Sequence, residues 1–399
     1  MTDDASGGAA DVDDEPAPVG DAPAVDPADL PDRLRGETPL VVLDVRDRDE
    51  FEAWHLAGPA VEAIQAPYPK FVAAEARGTV AEYAADLGLD RDDAVLVVCA
   101  RGESSAHVAR LLGDAGIDAA SLAGGMGAWA RLYLAAEVSC EAATVRQYRR
   151  PSSGCLAYLV VRDGEAAAID PLRAFADRYA ADARDLGADL RYAIDTHVHA
   201  DHVSGIRTLA AATGADPVLP AGARDRGLAF DAHLVADGDR LSVGDAALTA
   251  VALPGHTSEM TGFRLADLLF GGDTVFSTSV ARPDLEAGAA GAPALARRLH
   301  ATLRDRVLAL PDDVLVLPGH YADRATPTDA GPYAATVGDL RERLAALSLD
   351  EAAFVERITG DVPPRPANYR EIIGINLGRR PAADEEAFEL ELGPNNCAV

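Results

Sequence analysis

The sequence predicts a small α/β domain with a parallel sheet, followed by a larger domain in which helices and strands are mixed. The first observation is the length of 399 residues, because a single core seldom grows to that size. The second is the alternation of apolar, strand-like runs with helical patterns in the first third of the chain. The third is a set of turns containing His and Asp that follow apolar runs further along. These turns are expected to bring polar side chains to the edge of a sheet.

The charge of the chain narrows its expected partners and environment. The net charge is −29 at pH 7, and Lys70 is the only lysine among 36 basic residues. This balance disfavours nucleic acid and anionic membranes. It is typical of proteins from salt-loving archaea, although an ordinary acidic protein is the alternative. Residues 1–26 are predicted to be a disordered acidic tail. The absence of an export signal and of any apolar run near the roughly 20 residues that span a bilayer predicts a cytoplasmic protein.

The first domain is predicted over residues 27–137 and opens on a short helix. Residues 40–46 and 94–98 are dominated by uninterrupted apolar runs, which are typical of buried parallel strands. The helical patterns between these strands cover residues 49–55 and 80–87. A further helix is expected after residue 105. This order indicates a parallel sheet with helices on its faces.

A cysteine ends the second of these strands. Cys99 precedes a helix, so its sulfur is expected to face several backbone N–H groups. Those groups and the helix dipole favour a thiolate and can hold an anion carried on sulfur. The domain resembles the rhodanese family. The segments that carry the resemblance are Leu43-Asp44-Val45-Arg46, Glu50-Phe51, His55-Leu56-Ala57-Gly58, the Cys99 loop, and Leu122-Ala123-Gly124-Gly125-Met126 with Ala128-Trp129.

The rhodanese resemblance implies that Cys99 carries sulfane sulfur as a persulfide. The loop that would hold this anion consists of Ala100, Arg101, Gly102, Glu103, Ser104 and Ser105. A phosphatase relative would need Arg six residues after the cysteine, and Ser105 stands there instead. Many members that use thiosulfate carry Arg where this chain has Ser104. The resemblance therefore implies sulfane-sulfur handling and leaves the sulfur donor open.

The second domain is predicted over residues 147–345, after a linker at 138–146 and before a C-terminal extension at 346–399. Two strands are expected to form a hairpin around Asp163-Gly164, which is a strong turn pair. The predicted elements are strands at 155–161 and 165–169, a helix at 175–186, strands within 218–253 and a helix at 294–308. Residues 139–150 could also form the first edge strand of this domain.

A polar turn at residues 197–202 contains three His and one Asp, between an apolar run and a helical pattern. Imidazole nitrogens and carboxylate oxygens bind Zn, Fe and similar metals. A solvated polar turn is the alternative, but three of the nine His in the whole chain fall here. His256, Asp273 and His320 each follow a later apolar run. A metal site at one sheet edge is therefore predicted.

The motif H-x-H-x-D-H at residues 197–202 resembles the metallo-β-lactamase superfamily, and the later segments match in family order across residues 145–325. The resemblance implies an αββα sandwich with the metal site along one edge of its two sheets. In the persulfide dioxygenases of this superfamily, two His and one Asp hold one Fe(II). The implied iron ligands here are His197, His256 and Asp273. The implied positions of a second metal or of the surrounding shell are His199, Asp201, His202 and His320.

Two further segments distinguish the chemistries of that superfamily. Residues 279–285 resemble the G-R-P-D-L segment of persulfide dioxygenases, with Ala281 in place of Gly, whereas glyoxalase II enzymes usually carry a Cys-Gly-Arg-aromatic segment. Residues 364–376 also resemble bacterial persulfide dioxygenases. Arg282 is predicted to bind carboxylates of the substrate. A structural ion pair between Arg282 and Asp284 is the alternative.

Together these resemblances predict a bifunctional enzyme of sulfane-sulfur metabolism. One site would oxidise a low-molecular-weight thiol persulfide to sulfite with Fe(II) and O2, and the other would transfer sulfur to or from thiosulfate or sulfite. The fusion favours this function because a shared intermediate reaches the next site at a raised effective concentration. A hydroxyacylglutathione hydrolase (glyoxalase II) with two zinc ions and a non-catalytic sulfur carrier are the alternatives. A homodimer is compatible with the sequence.

The remaining cysteines and histidines carry weaker signals. Cys155 is predicted to be a small buried apolar residue, with contact to the metal site as the lesser expectation. Cys140 and Cys397 show no pattern that predicts a role. The histidines expected to have no part in the site are His55, His107, His233 and His300.

Overall fold

The structure is a computed structural model that describes residues 23–90, 94–322, 325–360 and 362–393. Most of the predicted acidic tail and Cys397 lie outside these residues. The chain divides into two compact units. The first comprises the residues up to Phe51 together with Pro59–Met126, and the second comprises Glu52–Gly58 together with the residues from Gly127 onward.

The first unit contains a five-stranded sheet in which every pair of neighbouring strands is parallel. Its strands are β1 (Ala24–Val25), β2 (Leu40–Asp44), β3 (Val61–Gln65), β4 (Ala94–Val98) and β5 (Asp118–Leu122). They lie in the order β1-β5-β4-β2-β3, and the predicted parallel sheet is confirmed. Residues 24–25 were expected to belong to the tail but pair with β5. Two residues can extend a sheet edge without any periodic pattern of their own.

Helices flank this sheet, as predicted. They are α1 (Leu30–Arg35), α3 (Tyr68–Arg77), α4 (Val80–Asp86) and α5 (Glu103–Asp114). Two further helices, α2 (Arg48–Ala53) and α6 (Gly125–Arg131), each continue from the first unit into the second along the chain. Helix α5 buries one apolar face, including Val108 and Leu112, in the same core as Val95 and Val97 of β4. Because β4 and α5 are joined by a short loop, this packing fixes the loop that contains Cys99.

The second unit begins its first sheet earlier than the sequence predicts. This seven-stranded sheet consists of β6 (Leu134–Val138), β7 (Thr144–Arg150), β8 (Cys155–Arg162), β9 (Glu165–Ile169), β10 (Asp189–Ile194), β11 (Asp216–Pro220) and β12 (His233–Val235). Strand β6 lies before the predicted linker and pairs with β7 in antiparallel orientation. The predicted hairpin of β8 and β9 is confirmed, with both Asp163 and Gly164 in the left-handed region.

A six-stranded sheet forms the other layer of the second unit. Its strands are β13 (Arg240–Val243), β14 (Ala246–Ala252), β15 (Thr261–Leu265), β16 (Leu268–Gly272), β17 (Leu315–Pro318) and β18 (Ala335–Thr336). One core contains residues of both sheets, among them Val160, Ile194, Leu248 and Phe263. The two sheets therefore pack face to face.

Helices cover the outer face of each sheet. They are α7 (Ala176–Asp185), α8 (Ile206–Thr213), α9 (Gly288–Thr302), α10 (Val337–Arg343), α11 (Glu351–Gly360), α12 (Tyr369–Asn376) and α13 (Asp384–Leu390). Tyr179 of α7 and Leu209 of α8 pack on the first sheet, whereas Leu299 of α9 and Phe354 of α11 pack with the second. The predicted αββα sandwich is confirmed. Within the described ranges, none of the helices is long and apolar enough to cross a membrane.

Candidate metal centre and sulfur site

The cysteine loop of the first unit surrounds the Cys99 sulfur with hydrogen-bond donors. The N–H groups of Gly102 and Ser105 donate to Sγ at 3.0 and 3.3 Å, and Ser105 Oγ lies 3.3 Å away. The Met126 N–H donates to the Cys99 carbonyl at 2.8 Å and fixes the end of the strand. Cys99 is buried, while Ala100, Arg101 and Glu103 are exposed on the loop. This cradle can stabilise negative charge on sulfur.

The polar turn of the second unit leaves the end of β10 and enters α8, and Asp170 anchors its start. Asp170 directly follows the neighbouring strand β9 and has a φ of 51°, a conformation that non-glycine residues seldom adopt. Its carboxylate accepts bonds from Thr196 N at 2.7 Å and Thr196 Oγ1 at 3.0 Å. It also lies 3.0 Å from His199 Nε2. These contacts hold the turn to the end of the strand beside it.

The structure brings His197, His256 and Asp273 together, and all three are buried. Asp273 Oδ2 lies 3.9 Å from His197 Nε2 and 3.8 Å from His256 Nε2. Metal–ligand bonds of about 2.0–2.2 Å allow one ion to reach donors at these separations. His197 Nε2 and Asp273 Oδ2 have no hydrogen-bond partner among the described residues. A metal ion would satisfy both atoms, so the residues fit a mononuclear site.

The charge states of the triad suit metal binding. Burial, together with His199 and His256, holds the pKa of His197 well below its usual value, so its ring is neutral. Burial alone would raise the pKa of Asp273, but His320 and His256 lower it instead. The group therefore offers a neutral imidazole and an ionised carboxylate.

The segment containing Arg282 holds one ligand of the triad in place. His256 Nδ1 donates to the Arg282 carbonyl oxygen at 2.7 Å, so Nε2 carries the lone pair that faces Asp273. The Arg282 guanidinium is buried and donates to Asp284 at 2.7 and 3.2 Å and to the Pro364 carbonyl at 2.9 Å. The structure therefore contains the ion pair with Asp284. Contact between Arg282 and a substrate stays a prediction.

A second group of possible ligands lies beside the triad. It comprises Cys155, Asp201, His202 and His320, all of them buried. His320 links the two groups, because its Nδ1 lies 2.6 Å from Asp273 Oδ1 and its Nε2 lies 2.7 Å from Asp201 Oδ2. The pKa of the Cys155 thiol is lowered: burial and Asp201 raise it, but His320 and His202 outweigh them. Cys155 therefore lies among the possible ligands of the site, which was the lesser of the two expectations for this residue.

His199 belongs to neither of these two groups. It clusters instead with Asp170 and Asp195. Its Nε2 is held by Asp170, and its Nδ1 has no partner among the described residues. Its ring centroid lies 4.1 Å from those of His197 and His202. The His199 ring therefore lies beside one imidazole of each group, and a role in orienting water or substrate stays a prediction.

The C-terminal extension holds the polar turn from the other side. Asn376 donates through Nδ2 to the carbonyls of His199 at 3.0 Å and His202 at 2.9 Å, and its Oδ1 accepts from Ser204 N at 2.9 Å. Glu391 accepts from Val203 N at 2.9 Å. Such supporting contacts fix the positions of metal ligands.

An ion pair inside the second unit fixes Glu391 itself. Arg150 Nη1 lies 3.0 Å from Glu391 Oε1, and both side chains are only 1% exposed. Sequence reasoning missed both residues and Asp170. An acidic residue at a strand end was a usable signal for Asp170, whereas nothing local marks Arg150 or Glu391.

Comparisons with known families match each unit. Residues 26–132 match the rhodanese-like domain, and residues 151–320 match the metallo-beta-lactamase superfamily. The human mitochondrial persulfide dioxygenase ETHE1 is 34% identical over 181 residues, which cover 44% of this chain and 67% of that protein. The hydroxyacylglutathione hydrolase of Methylococcus capsulatus is 35% identical over 203 residues, covering 50% and 75%. Both chemistries considered above thus occur among the relatives.

Solved structures agree on the fold of the second unit. A metallo-beta-lactamase from Staphylococcus aureus matches with a TM-score of 0.54 and 28% identity, covering 60% of this chain and 73% of that one. ETHE1 from Myxococcus xanthus matches with a TM-score of 0.53 and 25% identity, covering 59% and 99%. The chain therefore belongs to the metallo-beta-lactamase superfamily, and a rhodanese-like domain precedes its metal-binding domain.

Proposed function

We propose that the chain is a bifunctional enzyme of sulfane-sulfur metabolism, an Fe(II) persulfide dioxygenase joined to a sulfurtransferase. One observation carries the proposal: the same chain has a buried triad of two His and one Asp with unpaired donor atoms and a cysteine cradled by N–H groups. The relationship to persulfide dioxygenases supports the choice of substrate. Together these features favour sulfur oxidation over the other chemistries of the superfamily.

The oxidation consumes one thiol persulfide, one O2 and one water, and it yields the thiol, sulfite and two protons. His197, His256 and Asp273 would hold a single Fe(II), an arrangement that leaves coordination positions open for O2 and sulfur. The protein orients these ligands. The Arg282 carbonyl sets His256, His320 sets Asp273, and Asn376 holds the polar turn.

The cations near the site suit a thiol carrier that bears carboxylates. Arg365 donates to Asp284 at 3.0 Å, and its side chain is 30% exposed. Because the Arg282 guanidinium is buried against Asp284, Arg365 is the member of this network that solvent reaches. We propose that the network of Arg282, Asp284 and Arg365 forms one wall of the substrate site, with Arg365 nearest to the carrier.

The sulfur transfer would proceed through Cys99. Its thiolate attacks the outer sulfur of thiosulfate, the bond to the inner sulfur breaks, and sulfite leaves as a Cys99 persulfide forms. A small thiolate then attacks the outer sulfur of that persulfide, which restores the Cys99 thiolate and releases a thiol persulfide. The N–H groups of Gly102 and Ser105 stabilise the charge on sulfur at each stage. The product of this reaction is the substrate of the oxidation.

A second candidate, thioester hydrolysis on two zinc ions, has its own support. Asp201, His202 and His320 are present beside the triad, and hydroxyacylglutathione hydrolases are among the relatives. Two metal ions could activate water for hydrolysis. Oxygen uptake by an iron-loaded enzyme and thioester hydrolysis by a zinc-loaded enzyme separate these two functions.

Two variants test the bifunctional proposal. His256→Ala is expected to abolish oxygen uptake and to leave sulfur transfer from thiosulfate unchanged, because only the metal triad is broken. Cys99→Ser is expected to abolish sulfur transfer and to leave oxygen uptake unchanged when a thiol persulfide is supplied directly. Cys140→Ser, which changes a cysteine outside both sites, is the matched control and should keep both activities. Full oxygen uptake in His256→Ala, or full transfer in Cys99→Ser, would contradict the assignment.

A further inference from the structure

Three side chains of the first unit form a hydrogen-bonded chain that the transfer step described above does not use. The Tyr68 hydroxyl lies 2.8 Å from His107 Nδ1, and the two rings meet edge to face with their centroids 5.8 Å apart. His107 Nε2 lies 3.3 Å from Glu75 Oε1 and 3.2 Å from Glu75 Oε2. Sequence reasoning assigned His107 no part in a site, yet both of its ring nitrogens are held by polar partners.

The carboxylate sets the direction of these bonds. A carboxylate can only accept, so Nε2 of the neutral His107 ring carries the proton and donates to Glu75. Nδ1 is then the acceptor, and the Tyr68 hydroxyl donates to it. A hydroxyl, an imidazole and a carboxylate in this order match the arrangement by which catalytic triads take a proton from a hydroxyl. The Tyr68 oxygen can therefore accept a new proton as its own proton passes to the ring.

The backbone places Tyr68 at the sheet edge where Cys99 lies. The Tyr68 N–H donates to the Val45 carbonyl at 2.9 Å, and the Val45 N–H donates to the Val98 carbonyl at 2.9 Å. Val98 is the last residue of β4 and directly precedes Cys99. Ligands of open α/β sheets bind beyond the carboxyl ends of the parallel strands. Tyr68 thus begins α3 at the edge where a substrate of Cys99 is expected.

Helix α5 brings His107 to the same edge. The Ser105 N–H, in the first turn of α5, donates to Cys99 Sγ at 3.3 Å. His107 follows two residues later in this helix, and its side chain is 22% exposed. Glu75, near the end of α3, is 42% exposed. A proton that reaches His107 can therefore pass on to solvent.

The thiol that accepts sulfur from Cys99 has a proton to lose. An ordinary thiol has a pKa of about 8.5, so only about 3% of it is thiolate at pH 7. The thiolate is the form that attacks sulfur. The N–H groups of Gly102 and Ser105 that cradle the Cys99 sulfur are donors and take up no proton. A base beside the cradle would therefore speed this step.

We propose that Tyr68, His107 and Glu75 form a proton relay that activates the thiol accepting sulfur from Cys99. The thiol gives its proton to the Tyr68 oxygen while the Tyr68 proton passes to His107 Nδ1, and Glu75 faces the imidazolium that forms. The thiolate attacks the outer sulfur of the Cys99 persulfide, and the bond between the two persulfide sulfurs breaks with its electron pair on Cys99 Sγ. One thiol and one Cys99 persulfide thus give one thiol persulfide, the Cys99 thiolate and one proton, which His107 releases to solvent. This inference rests on the proposed function, because it needs sulfur transfer through Cys99.

Two sulfur acceptors distinguish the relay from a purely structural link between α3 and α5. Cys99 of the full-length protein is loaded with sulfur from thiosulfate, and its discharge at pH 7 is timed with an ordinary thiol or with sulfite, whose dianion has no proton to lose. Tyr68→Phe is expected to discharge to the thiol about tenfold more slowly or worse, up to the roughly 30-fold that the thiolate fraction allows. It should discharge to sulfite at the wild-type rate.

Tyr83→Phe is the matched control. Tyr83 lies on α4 of the same unit and packs edge to face on Phe71, and its hydroxyl has no hydrogen-bond partner among the described residues. This variant loses the same hydroxyl group at a different place. It should match the wild type with both acceptors.

Equal rates of discharge to the thiol in Tyr68→Phe and the wild type overturn the relay. An equal loss with both acceptors also overturns it, because a misplaced loop would slow sulfite and thiol alike. If Tyr68→Phe does not fold, His107→Gln is measured with the same acceptors and judged by the same outcomes. Loading is read first, by mass spectrometry, as the gain of one sulfur atom on Cys99. A wild type that gains no sulfur from thiosulfate or from a thiol persulfide contradicts the proposed sulfur transfer itself, whereas a loaded wild type leaves only the relay to be decided by the two acceptors.

Discussion

Asn376 provides the sharpest test of how the C-terminal extension supports the metal centre. It is 4% exposed, and its side chain makes three hydrogen bonds to the backbone of the polar turn. Replacement by Leu keeps a side chain of similar size that cannot form hydrogen bonds, so two carbonyls and one N–H lose these partners. At about 1–3 kcal/mol for each of these three buried groups, the folded state should lose about 3–9 kcal/mol. The loss falls at the turn that carries His197.

Metal affinity should fall together with stability. Outer contacts of this kind typically change metal affinity by about 10–100-fold. Asn376→Asp is the more selective variant, because it keeps the shape and the acceptor for Ser204 N but directs an oxygen at the carbonyls of His199 and His202. Iron affinity is measured by competition with a chelator, and unfolding by urea is followed with and without metal.

Asn368→Gly is the matched control. Asn368 makes one exposed bond to the Leu390 carbonyl and has a φ of 57°, which Gly tolerates. This variant should bind iron as the wild type does. If Asn376→Leu and Asn376→Asp also bind iron as tightly as the wild type, the extension does not position the turn and the reasoning fails.

The remaining predictions concern the sulfur loop, pH and salt. An added Cβ at Gly125, whose φ is 61°, would lie 2.3 Å from the Cys99 carbonyl oxygen. The Gly125→Ala variant should therefore strain this loop by about 1–3 kcal/mol and lower the rate of sulfur transfer by about tenfold or more, while its metal content stays the same. An unchanged transfer rate would refute this prediction. Burial raises the pKa of Asp182, but hydrogen bonds from Tyr148, Arg178 and Arg146 outweigh this effect, so the pKa is lowered overall. The stabilising effect of the ionised Asp182 should therefore be complete above its unfolded pKa and disappear as pH falls through the lower folded value. The gap in unfolding free energy between wild type and Asp182→Asn should accordingly narrow below about pH 4, and a gap independent of pH would contradict it. Because the chain carries a net charge of −29, salt should stabilise it by screening the repulsion among its negative charges. The melting temperature should rise as the screening length falls from about 10 Å at 0.1 M salt to about 3 Å at 1 M. A constant melting temperature would argue against adaptation to salt.

The fold and the grouping of the candidate metal ligands were predictable because their signals are local. Residues 94–98 and Cys99 predict a strand and the loop after it from a few neighbouring positions, and the structure contains both. The turn at 197–202 likewise carries its donors in one short motif. His256 and Asp273 follow strands that end at the same edge, so the predicted order of strands and turns was sufficient to predict that they lie close to His197.

The supporting contacts were beyond prediction because they join distant parts of the chain. Cys155 reaches the second group only through its pairing with His320, which is 165 positions away in the sequence. Asn376 bonds to residues 172–177 positions away, and Glu391 to one 188 positions away. Residues 364–376 were singled out by a resemblance, but nothing near Cys155, Asn376 or Glu391 indicates which distant residue each of them contacts. The early start of β6 was missed for a different reason: Leu134–Val138 is a short edge strand with only a weak pattern.

Oxygen uptake with sulfite formation is the most direct test of the central claim. Iron-loaded protein, prepared without oxygen in high salt, is given a thiol persulfide and air-saturated buffer. The account predicts rapid uptake with one sulfite formed for each O2 consumed, and none from the zinc-loaded protein. A folded, iron-loaded sample that consumes no oxygen with several thiol persulfides, but hydrolyses a thioester when loaded with zinc, would contradict the account.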